Sequence, residues 1–224
     1  MWNPPLVEVM RGLQANQTIT RLHLHNIDCY DDADMEALAE YVSKTKVLKK
    51  LTMIYEILYP EVGIPLIDAL GENTSLNCVD FGKFDMDLEA CKHFGAMLAK
   101  NRTLHWLRQS EEYASPDALV LVAEGMEQNC TLLQLDLAFK PPSPALSRIA
   151  RAVAANERRL NRAVDFVLDT VEQEEIVVCE EAFRLLCQRD SLVDQLIKVT
   201  DQPAASVLSL IESAKAKLMR SVSG

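Results

Sequence analysis

The chain has no long apolar run and no surplus of positive charge, and each shortage closes off a class of function; its seven glycines are few, as in a helix-rich globular chain. No stretch approaches the ~18 consecutive apolar residues of a membrane-spanning helix. The opening Met1-Trp2-Asn3-Pro4-Pro5 has neither the basic start nor the apolar core of a secretory signal, so a cytoplasmic protein is expected. A net charge of −10 argues against nucleic acid, whose phosphates call for a lysine and arginine surplus. It argues equally against an anionic membrane surface. The six cysteines (Cys29, Cys78, Cys91, Cys130, Cys179 and Cys187) form no CxxC pair and no dense framework, and read as reduced core thiols. No G-x-S-x-G, P-loop, H-E-x-x-H or dinucleotide fingerprint occurs. His23 and His25 stand two apart with no third ligand in the repeat, so they read as surface histidines and not as a metal site. His93 and His105 have no partner visible in the sequence. Neither an enzyme nor a cofactor is expected.

What the chain does have is a repeat. A motif of the form L-x-x-L-x-L begins at Ile19, Leu48, Leu76, Leu104 and Leu132, in steps of 29, 28, 28 and 28 residues. In the fourth copy the last apolar position has become Gln109. Alternation of this kind marks a strand with one buried face. Residues suited to starting a helix keep the same step at Asn3, Asp31, Tyr59, Asp87, Ser115 and Ser143. Four of them precede a proline, which is favoured at the first helical position. After each start the apolar period changes from two to about 3.6, as in Leu66, Ile67 and Leu70. The helices end on N-x-[TS]-[LI], at Asn16, Asn73, Asn101 and Asn129. These tripeptides double as glycosylation sequons, but here they read as helix terminators, with asparagine expected in the left-handed conformation.

A 28-residue strand–helix unit cannot bury its apolar face alone, so neighbouring units must stack. The expected fold is α/β, a leucine-rich-repeat solenoid of about five to six units over residues 1–160, with an all-α cap at 161–224. A sixth strand-like motif falls in phase at Leu160–Asp165. Beyond it, helices are expected over Glu174–Gln188, from Asp190, and over Pro203–Arg220. This helical segment reads as a cap or as a second interaction surface. The first helix has no strand before it, so either it caps the array or the array continues in a longer protein.

The step length, the full helix in each unit and the N-x-T-L return are similar to ribonuclease-inhibitor-type leucine-rich repeats, the class that includes Ran GTPase-activating proteins and NLR receptors. The resemblance covers roughly residues 3 to 160. It departs at the ninth repeat position, where the class has Asn or Cys and this chain has Ile27, Glu56, Phe84, Glu112 and Lys140. The resemblance implies a protein-binding role, or else regulation of a small GTPase, or a terminal fragment of a larger receptor.

The residues themselves point to an adaptor that recognises a protein through the outward face of its strands. Alternate positions of each strand project there. One row runs Arg21, Lys50, Cys78, Trp106, Gln134, and the next runs His23, Thr52, Asp80, Arg108, Asp136, with His25 beyond. Strands lie about 4.8 Å apart, so Asp80, Arg108 and Asp136 are expected to form an opposite-charge ladder. Trp106 beside Arg108 is the candidate anchor, since both residue types are enriched at binding hot spots. Trp2, Tyr55, Tyr59 and Tyr113 would supply an apolar rim.

Overall fold

The computed structural model describes residues 6–25, 32–54, 58–110, 115–138 and 143–221. Trp2, Cys29, Tyr55 and Tyr113 lie outside the described residues, as do four of the five ninth positions. The contacts divide the chain into two compact units between Val153 and Ala154.

The first unit alternates helix and strand. It runs α1 (Leu6–Gln14), β1 (Arg21–His25), α2 (Asp32–Lys44), β2 (Lys50–Ile54), α3 (Pro60–Glu72), β3 (Cys78–Asp80), α4 (Leu88–Lys100), β4 (Trp106–Gln109), α5 (Ala118–Gln128) and β5 (Gln134–Leu137). The five strands form one parallel sheet in chain order, β1-β2-β3-β4-β5. Equivalent motif positions are register partners, as in Lys50↔Cys78↔Trp106↔Gln134. The repeat thus sets the register: a slip of one residue would turn Leu51, Val79 and Leu107, all 0% exposed, out of the core. Helix residues Leu38, Leu66, Phe94 and Val122 close that core from the other side.

Helix starts follow local chemistry. The Asp87 carboxylate accepts the Ala90 N–H at 2.7 Å, and Ser143 Oγ accepts the Leu146 N–H at 3.3 Å. Tyr59 makes no side-chain cap, and Pro60 starts α3 instead. Ser115 does accept the Ala118 N–H at 3.1 Å, but α5 begins only at Ala118.

The helix ends differ from expectation. Asn73, Asn101 and Asn129 are extended, with φ near −70° and ψ near 140°, and not left-handed. Each works through its side chain. Asn101 Oδ1 accepts the N–H groups of Thr103 and Leu104, both at 2.8 Å. Its Nδ2 donates to the carbonyls of Leu70 at 2.7 Å and Asn73 at 3.3 Å. Asn73 and Asn129 repeat the pattern one repeat before and after. The result is a buried row of amides, each serving one last-turn carbonyl of the preceding helix and the carbonyl just past that helix's end, groups that the helix itself leaves short of partners. After α2, Thr45 takes the asparagine's place, its Oγ1 accepting the Leu48 N–H at 3.4 Å.

Helix α6 (Pro144–Leu168) carries the chain into the second unit, followed by α7 (Ile176–Leu186), α8 (Asp190–Thr200) and α9 (Ala204–Ser221). The sixth strand-like motif, Leu160–Asp165, is therefore helical. Asn156 falls one residue out of phase and is followed two positions on by Arg158, where the earlier turns have Ser or Thr. No asparagine turn forms and the helix continues. Here the left-handed terminators are Asp169 (φ 58°) and Asp201 (φ 54°). Phe166 and Phe183, with ring centroids 5.0 Å apart, centre a core that includes Leu160, Leu186, Leu196 and Ile211. Among the described residues, no helix is long and apolar enough to cross a membrane.

Candidate functional site

The outward strand face is assembled by register. Backbone pairing sets Lys50, Cys78, Trp106 and Gln134 side by side, and Thr52, Asp80, Arg108 and Asp136 in the row beyond. Arg21, His23 and His25 continue these rows onto β1 opposite Lys50, Thr52 and Ile54, and all three are exposed. The side chains do not stand alone. Lys50 Nζ lies 6.0 Å from the centroid of the half-buried Trp106 ring, at the outer limit of a cation–π contact. Arg108 Nη1 approaches Asp80 Oδ2 at 3.5 Å. The other Asp80 oxygen accepts the Gly82 N–H at 3.0 Å, which holds the carboxylate in place. Gly82 has φ +61°, and a Cβ there would sit 2.6 Å from the Met53 carbonyl oxygen, so glycine is required at that turn.

The expected charge ladder takes a different form. Arg108 pairs with Asp80, while Gln134 Nε2 donates to both oxygens of Asp136 at 3.0 and 2.9 Å. Thr52, an outward position by sequence, is only 7% exposed. Tyr59, the described member of the expected rim, is 50% exposed.

Two features escaped the sequence. Gln109, where the motif loses its apolar residue, is buried and donates to the Phe84 carbonyl at 2.6 Å. That bond explains how a polar group is tolerated there. Cys78 Sγ and His105 Nε2 lie 3.4 Å apart. A contact between residues 27 positions apart becomes visible only once the strand register is known. On the helical side, His93 meets Asp68 at 2.7 Å and Glu89 at 3.3 Å.

The cysteines are not uniformly core thiols. Cys91 and Cys179 are buried, whereas Cys78, Cys130 and Cys187 are half-buried. Burial pushes the Cys91 thiol up to about 12 and raises that of Cys179, so neither is a nucleophile near neutral pH. Among the described residues, no group of three or more His, Cys, Asp or Glu side chains is placed to hold a metal ion.

No protein-family model matches the sequence, and no curated protein sequence does. Solved structures do match in fold. One is the tropomodulin C-terminal domain of Caenorhabditis elegans, with a TM-score of 0.60 and 14% identity, covering 69% of this chain and 95% of that one. Another is leiomodin-1 actin-binding site 2, with a TM-score of 0.60 and 16% identity, covering 70% of this chain and 90% of that one. These neighbours correct the resemblance to ribonuclease-inhibitor-type repeats: the fold is compatible with leucine-rich repeats at large, but not with that type specifically. The chain itself supplies the physical reason. Phe84, the described ninth position, is a core residue stacked on Phe81 at 5.8 Å, and the hydrogen-bonding asparagines stand at the helix ends instead. Regulation of a small GTPase rested on that resemblance and has no support from these neighbours.

Proposed function

We propose that this chain is a non-enzymatic cytoplasmic adaptor, a leucine-rich-repeat solenoid that binds a partner protein through the outward face of β1–β5. The observation that carries this reading is the Lys50–Trp106–Arg108–Asp80 cluster. A lysine approaches a half-buried aromatic ring in one row of the sheet, and an arginine–aspartate pair stands in the next row. Such a cluster is pre-organised, so docking loses little side-chain entropy there. Trp106 and Arg108 form the anchor. Asp80, Asp136, Lys50 and Gln134 surround it, and Arg21, His23 and His25 extend it. The structurally similar leiomodin-1 domain is named as an actin-binding site, which makes actin the first partner to assay.

The test uses immobilised wild-type chain and a Trp106→Ala/Arg108→Ala variant, both checked for native circular dichroism, against cell lysate and purified filamentous actin. Removing a hot-spot tryptophan costs about 2 kcal/mol, roughly thirtyfold in affinity. The expected result is a partner retained by the wild type and lost by the variant. Equal retention by both would exclude the strand face as the binding surface.

A further inference from the structure

Helix α7 carries more apolar surface than its own core uses. Cys179, Ala182, Phe183 and Leu186 are buried and form its inner stripe. An amphipathic helix should turn polar residues outward from such a stripe. Here Ile176 is 41% exposed, Val177 62%, Val178 40% and Leu185 51%. Val178, Glu181, Ala182 and Leu185 follow the i, i+3, i+4, i+7 spacing of a single helical face, and that face forms one wall of a groove of about 340 Å³. The other wall is a single face of α6 bearing Arg158, Arg159 and Arg162. At 1.5 Å per residue, each wall runs for about two helical turns.

The charge of this groove is opposite to that of the molecule. Three guanidinium groups face one lining carboxylate, Glu181, in a chain of net charge −10. Their internal engagements are modest. Arg159 donates to Asn156 at 2.5 Å, and Arg162 reaches Glu175 only at 4.0 Å. Arginine is also the cation that pairs most readily with carboxylates at interfaces, because its planar fork bonds bidentately. The groove thus offers an apolar wall to one side of an occupant and a basic wall to its flank.

We propose that the α6–α7 groove docks an acidic amphipathic helix of a partner protein, separately from the strand face. The occupant lays an i, i+3/i+4, i+7 apolar stripe against Val178, Ala182 and Leu185, and its Asp or Glu residues meet Arg158 and Arg162. Concavity favours a helix over a lipid surface, which would lie flat on exposed side chains.

The test measures fluorescence anisotropy of a labelled peptide with the full chain. The peptide has roughly 18 residues, about 27 Å as a helix, with Leu at the stripe positions and Glu or Ala elsewhere. A control peptide replaces every Glu by Lys. The expected result is binding of the acidic peptide alone, in the range of about 1–100 μM. Both Arg158→Glu/Arg162→Glu and Leu185→Ser should weaken it by about tenfold or more, and all three positions are solvent-accessible, so folding is preserved. Binding that is equal in these variants, or absent, overturns the proposal. So does binding of anionic phosphatidylserine vesicles in place of the peptide, which would make the groove a lipid contact. Concentration-dependent dimerisation lost in the same variants would overturn it too, by assigning the groove to a second copy of the chain.

Discussion

Asn101 shows how much one side chain can hold together. It is 2% exposed, and its amide joins the N–H groups of Thr103 and Leu104 to the carbonyls of Leu70 and Asn73. Replacing it with alanine leaves the two N–H groups without their partner and takes one bond from each carbonyl, which keep the Asn73 N–H and the Thr103 hydroxyl; a buried group left unpaired costs about 1–3 kcal/mol. We expect Asn101→Ala to lower the unfolding free energy by about 3–5 kcal/mol in a urea titration. Asn101→Asp separates the two halves of the role, because a carboxylate keeps both accepted bonds but faces two carbonyl oxygens. Burial raises the folded pKa of such a group, so its stability is retained at low pH and lost as pH rises past the unfolded value of about 3.9. The aspartate variant should therefore lie nearer to wild type at pH 4 than at pH 8. A loss below about 1 kcal/mol for the alanine variant would show that the asparagine row is not a structural element.

Helices α4 and α5 meet backbone to backbone. A Cβ at Gly95 would lie 2.4 Å from the Leu121 carbonyl oxygen, and one at Gly125 would lie 2.0 Å from that of Gly95. A main-chain atom cannot swing aside as a flexible side chain can, so even one methyl group forces the helices apart. Gly125→Ala should destabilise by about 3 kcal/mol. At Gly12 in α1 a Cβ would meet nothing within 4 Å, and alanine there should stabilise by about 0.5–1 kcal/mol through a less flexible unfolded chain. Thermal unfolding of the two variants checks both signs, and a neutral Gly125→Ala would rule out the close approach. The elements themselves were mostly legible, because the period of apolar residues switches between two and 3.6 in every repeat. Helix α6 was not. Its in-phase leucine at 160 resembles a strand start, and the signs that the turn fails are the one-residue slip of Asn156 and the missing Ser or Thr after it.

For the molecule as a whole, sequential strand order gives the sheet two edges, β1 and β5. Leu22 and Leu135, on these strands, are half-buried, whereas the equivalent Leu51, Val79 and Leu107 are fully buried. Local opening requires less at an edge than inside the array. Amide hydrogen exchange should accordingly be slowest in β2, β3 and β4. If β5 exchanged as slowly as β3, the ordering of stability along the array would be wrong.

The sequence alone determined the repeat, its 28-residue step, the parallel register and the residues sharing the outward face, since each is a consequence of periodicity. It also singled out the asparagines, though for the wrong conformation. Tertiary structure decided what periodicity does not encode: contacts between repeats and across helices. Cys78 beside His105, Gln109 bonded to Phe84, and a basic groove in an acidic chain all depend on distances between residues remote in sequence or on packing unrelated to the repeat. The ninth position made the same point from the other side. Phe84 lay in plain view in the sequence, but its place in the core, stacked on Phe81, depends on the three-dimensional packing of the connection between β3 and α4.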